Sequence, residues 1–176
     1  MKKIGLGVLI VVTGFLIYVA MKPSEFYIAR QMKIQASSDL IFPYVNDFQQ
    51  FDIWNPWAKI DPKAKKEIHG PSGVGATSAW DGDANVGKGV MTIVESVPSL
   101  YLKMRLDFEK PFVSSAIVEF TFQQENGATQ VSWGMKGKNN FFSRLMCTFM
   151  DMDKMIGGNF EKGLTDLKVL VESHPH

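Results

Sequence analysis

The chain has 176 residues, 45% of them hydrophobic and 21% charged, with 19 basic against 18 acidic side chains. These proportions exclude a disordered chain, and the near-neutral charge argues against a nucleic-acid binder built on a broad basic face. The single cysteine, Cys147, rules out a disulfide scaffold within one chain and reads as a small core residue on an apolar helix face.

The segment 4–21, IGLGVLIVVTGFLIYVAM, carries no charge, and its only polar groups are Thr13 and Tyr18. As a helix it would reach about 27 Å, close to the hydrocarbon thickness of a bilayer. Lys2 and Lys3 precede it, as a cytoplasmic N-terminus requires, and Pro23 ends it. A cleaved signal peptide is the competing reading. Against it, the apolar run exceeds the usual 7–15 residues, and Tyr18 stands where a small residue belongs before Ala20. The expectation is a transmembrane anchor over 1–22 followed by one domain over 25–173. The anchor makes the chain single-pass, with its N-terminus cytoplasmic and its domain extracytoplasmic (periplasmic in a Gram-negative cell). With the two lysines set aside, seventeen of the 19 basic residues remain against 18 acidic ones, so the chain beyond them is one charge from neutral.

Residues 26–34 alternate as a half-buried strand, with Phe26, Ile28, Met32 and Ile34 on one side. Ser37, Ser38 and Asp39 offer helix caps. Two short helices are expected at 38–46 and 48–54, the second broken by Asn55-Pro56-Trp57. Strands follow at 65–69, 76–80, 89–97, 101–108, 112–124 and around Val131, Trp133 and Met135. Turns separate them at 70–73, 81–83, Pro98-Ser99 and Asn126-Gly127, the last a strong hairpin signal. From 141 to 172, Phe142, Leu145, Met146, Phe149, Met152, Ile156, Phe160, Leu164, Leu167 and Val171 recur at three- and four-residue steps. That predicts one long helix with a broad apolar stripe and a bend or close approach at Gly157-Gly158. Antiparallel strands joined by short turns, plus one long helix to cover them, predict an α+β fold.

This order of elements resembles the START-like (SRPBCC) helix-grip superfamily, most nearly its polyketide cyclase/dehydrase and lipid-transport branch. The resemblance is carried by IFPYVNDFQQFDIWNPWAKIDP (41–62), SGVGATSAWDGDANVGKGVMTIVESVP (72–98) and FMDMDKMIGGNFEKGLTDLK (149–168). It implies a curved antiparallel sheet gripping the C-terminal helix around an apolar cavity. It also implies a hydrophobic ligand such as a lipid, sterol or polyketide. It brings no catalytic motif that maps onto these residues.

Other motifs are weak. Residues 82–89, GDANVGKG, approach a phosphate-binding loop, but Gly89 stands where Ser or Thr would hold magnesium, and a strand follows. The reading is a hairpin loop with Lys88 at its tip. His69 is isolated, and His174 and His176 lie in the tail, so neither a metal site nor a cofactor is expected. Asp151 and Asp153, two apart on a helix, read as a solvated edge. Glu95 and Glu119 lie within strands, paired with Lys or Arg if outward and acid/base candidates if inward.

Ten methionines and four tryptophans suit a wall for a bulky apolar ligand. The wall residues expected are Trp54, Trp57, Trp80, Met91, Phe108, Phe120, Trp133, Met146, Phe149 and Met150. The leading reading is a membrane-tethered binding protein for a hydrophobic small molecule or lipid, with the membrane contacted through 4–21. A cyclase- or dehydratase-like enzyme is the second, with His69, Glu95 and Glu119 the first groups to check. The third is an envelope interaction module without a ligand. The sequence does not set the oligomeric state.

Overall fold

A computed structural model describes residues 2–173, with the side chains of 2–6, 8 and 142 outside the description. His174 and His176 lie outside the described residues. The elements, in chain order, are α1 (Lys2–Met21), β1 (Glu25–Ile34), α2 (Ser38–Ile41), α3 (Pro43–Asn46), α4 (Phe48–Trp54), α5 (Pro56–Ile60), β2 (Lys65–His69), β3 (Thr77–Asp81), β4 (Lys88–Val97), β5 (Tyr101–Lys110), β6 (Ser114–Glu125), β7 (Ala128–Lys138), α6 (Phe141–Phe149) and α7 (Met152–Glu172).

The seven strands form one antiparallel sheet in the order β1-β7-β6-β5-β4-β3-β2. Six strands follow one another through the chain, and β1 closes onto the last of them, so the sheet begins and ends near the α1–β1 junction. Asn126 and Gly127 both take positive φ, 51° and 78°, which is the backbone of a two-residue hairpin turn and explains why glycine stands there. Strand pairing sets rows of side chains on the inner face. Met91, Leu106, Ala116, Gly137 and Phe26 share one row. Ile93, Met104, Val118, Met135 and Ile28 share the next. Leu102, Phe120, Trp133 and Arg30 share a third.

Helix α7 covers the β1 side of that face. Arg30 sits among these apolar rows but reaches the helix. Its Nη2 is 2.8 Å from Asp153 and its Nε 2.6 Å from Glu161. A Cβ at Gly157 would fall inside its guanidinium, so the close approach expected at this glycine pair is made by Arg30. Farther on, Lys168 donates to the Lys33 carbonyl and Glu172 accepts from the Gln35 amide. Helix α7 therefore runs parallel to β1, and its first turns point toward Ile28 and Phe26. Phe160, Leu164, Leu167 and Val171 are buried beneath it.

Three expectations need correction. The helix over 141–172 is two helices: Met150 is extended, and Asp151 caps α7 by accepting from the Lys154 amide at 3.0 Å. Asp151 and Asp153 are accordingly a cap and an ion-pair partner, not a solvated edge. Four short helices, not two, lie between β1 and β2, because Pro43 and Pro56 each sit at a first helical position and restart the chain. Asn55 caps the last of them by accepting from the Trp57 amide at 3.1 Å.

The apolar N-terminal run is helical as expected, and α1 ends two residues before Pro23. Among the described residues, however, no helix is long and apolar enough to cross a membrane. The side chains of 4–6 and 8, which belong to the uncharged run, lie outside that set. A transmembrane role for α1 therefore does not follow from the fold.

Two glycines of α7 test the packing. Gly158 has open space where a Cβ would go, whereas a Cβ at Gly163 would lie 2.7 Å from Trp133 Cζ3 and 2.9 Å from Pro56 Cδ. Gly158→Ala is expected to stabilise by up to about 1 kcal/mol through helix propensity. Gly163→Ala is expected to destabilise by about 1–3 kcal/mol through overpacking. Equilibrium denaturation of the two variants checks the opposite signs.

Candidate functional site

The sequence-predicted wall residues fall into three groups. Trp54, Phe120 and Trp133 are fully buried and form the centre of an aromatic core. Trp133 stacks on Phe120 at 5.0 Å and on Phe160 at 4.3 Å, and meets Phe51, Trp54 and Trp57 edge-on at 5.4–6.0 Å. Aromatic pairs favour such offset-stacked and edge-to-face arrangements. Phe51 and Phe160 complete this cluster. Sequence reasoning placed Phe160 on the helix stripe but did not single out Phe51, whose seven-residue helix is too short to show a period.

The Trp133 indole nitrogen is buried with no hydrogen-bond partner. Its ring turns the Cζ3 edge toward Gly163, so the N–H lies on the opposite edge, away from that turn of α7. An unpaired buried donor costs about 1–3 kcal/mol, so a partner for this N–H would be stabilising.

The second group, Trp57, Trp80, Met91 and Phe108, is half-buried and borders the core. Met91 stands opposite Leu106, and Phe108 opposite Gly89, which in turn faces Trp80. Trp80 lies over Gly89, meets Phe108 edge-on at 5.7 Å, and donates to the Val86 carbonyl at 3.1 Å. These three share the end of the inner face that holds Phe26 and Ala116. Met152 and Ile156, also half-buried, lie on the first turns of α7 directed toward that end. Lys66, in the row of Trp80, pairs at 2.9 Å with Asp52 of α4. The arrangement is an apolar, partly open end of the sheet–helix interior with one ion pair beside it.

The third group, Met146, Phe149 and Met150, is exposed on α6 and the residue after it. Phe149 meets Phe15 of α1 at 6.1 Å, and none of the three joins the core under α7. The break before Asp151 is what carries them away from the sheet.

The groups suggested for acid/base chemistry are not brought together inside. His69 is 70% exposed on the edge strand β2, 3.6 Å from Glu67. Glu95, Lys103 and Glu119 are cross-strand neighbours on the outer face, with Glu95 3.6 Å from Lys103. Glu119 accepts from Tyr101 Oη at 2.7 Å and Lys136 Nζ at 2.8 Å. Burial pushes the Glu119 carboxyl upward, but those two hydrogen bonds and the charges of Lys136 and Lys103 outweigh it and hold it below 4.5. Burial, and then the Glu119 carboxylate, raise the Tyr101 phenol well above its ordinary range. Glu119 is therefore an ionised carboxylate held by Lys136 and the neutral Tyr101 phenol, not a carboxylic acid kept protonated.

The 82–89 loop also takes a structural form. Asp83 accepts from the Asn85 and Val86 amides, and Gly87 takes φ 66°. Lys88 is the first strand residue rather than the tip, and pairs with Glu109 at 2.7 Å. Among the described residues no cluster of three or more His, Cys, Asp or Glu could hold a metal ion.

Two concave regions lie elsewhere. One, of about 160 Å³, sits between the start of α4 and the turn after β2, lined by Asp47, Phe48, Ile68 and Pro71. The other, of about 750 Å³ and broadly open, lies on the outer face between Tyr27, Arg105, Ile117, Lys136 and Lys138.

No family model matches the chain, and no curated protein matches it. Solved structures do. Protein CV1439 from Chromobacterium violaceum superposes with a TM-score of 0.62 at 14% identity, over 84% of this chain and 98% of that one. CalU16 from Micromonospora echinospora gives 0.56 at 16%, over 82% and 65%. DynU16, of the dynemicin biosynthetic locus, gives 0.59 at 14%, over 84% of this chain and 47% of that one. With the seven-stranded antiparallel sheet and the long C-terminal helix, these likenesses show a helix-grip fold.

Because the native Glu119 pKa is depressed, its stabilising contribution is complete above the ordinary value of 4.5. It is lost as pH falls through the lower native value. Glu119→Gln is expected to cost about 0.5–1 kcal/mol at pH 7. The same variant should flatten the loss of stability as pH falls below 4.5, read from denaturation midpoints across that range.

Proposed function

We propose that this chain is a membrane-tethered binding protein for a hydrophobic small molecule or lipid, held between the sheet and α7. The observation that carries the reading is that Trp57, Trp80, Met91 and Phe108 are half-buried at the border of the core, as are Met152 and Ile156 on the first turns of α7. Flexible methionine and flat aromatic surface, with the Lys66–Asp52 ion pair at its side, suits a bulky apolar ligand. The unpaired Trp133 N–H supports a ligand with a hydrogen-bond acceptor at its buried end. Binding a hydrophobic ligand is also what the fold resemblance implies.

Tethering rests on α1. Val19 is buried, but Leu9, Ile10, Val11, Ile17 and Met21 are widely exposed. An apolar helix exposed on several sides calls for an apolar surrounding. Lys2 and Lys3 at its start favour a cytoplasmic N-terminus and an extracytoplasmic domain. A cyclase-like enzyme is the weaker alternative, since His69, Glu95 and Glu119 form no inward polar pair.

Native mass spectrometry of the purified full chain tests the binding reading. Wild type is expected to carry a co-purifying apolar molecule. Met91→Trp, which fills the open end, is expected to lose at least tenfold of it while keeping a cooperative unfolding transition. An empty wild-type protein that also takes up no lipid from phosphatidylcholine vesicles would overturn the reading.

A further inference from the structure

Helix α6 has no counterpart in the reading of the sequence as one long helix, and its position against α1 fixes what surrounds it. Arg144 Nη1 donates to the carbonyls of Ala20 at 2.7 Å and Lys22 at 3.2 Å, a cation on the carbonyl end of α1. Five residues on, the Phe149 ring lies 6.1 Å from Phe15, five residues back along α1. The two helices are therefore antiparallel neighbours, and α6 descends about 7.5 Å alongside α1. Val19, fully buried, lies in the same stretch of α1. Phe149 is thus level with Phe15, in the second half of the uncharged run, yet it is 74% exposed. Phe141, Met146 and Met150 are exposed as well.

A second apolar feature lies at the same end. The β5–β6 turn, 111–113, overhangs the sheet edge where the chain enters β1 at Glu25 and leaves β7 at Lys138. It sits about 12 Å to the side, two to three strand spacings away. Val113 is 82% exposed and Phe112 more than half. The open strip of Trp80, Met91 and Phe108 faces this end too, since Phe108 pairs with Ser114 next to the turn.

We infer that α6 and the 111–113 turn form an interfacial lipid-contact surface, submerged beside α1, that directs the open end of the binding interior at the bilayer. The occupant is lipid because α6 is continuous with α1. Whatever surrounds Phe15 and Ile17 must also surround Phe149, and the exposed described side chains of α6 itself, Phe141, Met146 and Phe149, are apolar, as an interfacial helix requires. The inference rests on the tethered reading of α1 but does not depend on which ligand is bound.

The test uses the full chain in the Cys147→Ser background, reconstituted in phosphatidylcholine–phosphatidylglycerol vesicles. Val113→Cys, Phe149→Cys and Val169→Cys each carry an environment-sensitive fluorophore. Val169 is exposed on α7 beside the Lys33 end of β1, about 26 Å along the strand from Glu25. All three sites are exposed, and circular dichroism reports that each labelled variant keeps its fold. Flotation with the vesicles reports tethering, and quenching by bromine-labelled phosphatidylcholine reports lipid contact. The expected result is flotation, with quenching at 149 and 113 at least twofold above that at 169. Flotation with all three labels quenched alike and weakly overturns the lipid-contact surface and leaves the tether standing. Labels at 149 and 113 shielded from water but not quenched would mean a protein cover, and overturn it too. Failure to float defeats the tether and this inference together. The ligand test above is unaffected by any of these results.

Discussion

The stack of Phe120, Trp133 and Phe160 is the contact on which the rest of the structure depends. It joins the β6–β7 hairpin to α7, with ring centroids 5.0 and 4.3 Å apart. Because Trp133 also meets Phe51, Trp54 and Trp57 edge-on, the same ring holds α4 and α5 against the sheet. Stacked area alone would let α7 slide along this apolar bed. Register comes from the space that Gly163 leaves for Trp133 and from the Arg30 ion pairs with Asp153 and Glu161. Those pairs are partly exposed and worth little energy on their own; what they supply is position.

That position decides where the interior is closed and where it is open. Parallel to β1 and pinned at Arg30, α7 closes over Ile34, Leu164, Leu167 and Val171, all fully buried. Its first turn begins at Met152, so the rows holding Met91, Phe108 and Trp80 lie toward its start and remain half-covered. Asp151 enforces this. As the cap of α7 it stops the helix, and the extended Met150 sends the preceding residues toward α1 instead of across the sheet.

Much of the fold was legible because its signals are local. The alternation Leu102, Met104, Leu106, Phe108 and the pair Asn126-Gly127 fix strand faces and a turn without reference to anything distant. Alternation also places Phe120 and Trp133 inward, though it does not tell that they stack. The break at Met150–Asp151 was hidden by a longer pattern: the apolar stripe continues across it at helical spacing, and Gly157-Gly158 is the more conspicuous weak point. Among the wall residues, Trp57, Trp80, Met91 and Phe108 could be separated from Trp54, Phe120 and Trp133 only by where α7 begins, which is a tertiary property. Arg30 was the clearest omission. A charged residue at an inward position of an alternating strand implies a partner on the covering helix, and Asp153 and Glu161 were available on α7.

Under the proposed reading, the geometry bears on kinetics as well as affinity. An apolar ligand with 300 Å² of surface would lose roughly 7 kcal/mol of hydrophobic stabilisation on passing through water. A step carrying that penalty is slowed by about five orders of magnitude. A binding interior whose open end faces hydrocarbon removes the aqueous step. The tether alone does not achieve this, because a domain on a short linker can still rotate its open end away from the surface. Helix α6 restrains that rotation: it is fastened to α1 at Arg144 and at Phe149, about 7.5 Å apart along the helix. Two attachment points along one axis resist tilting of α6 against α1, and the 111–113 turn, offset across the sheet, resists rolling about it. On this account the anchor, α6 and the turn act as one orienting device, and the break before α7 that frees α6 also leaves the binding interior uncovered on the side that faces the lipid.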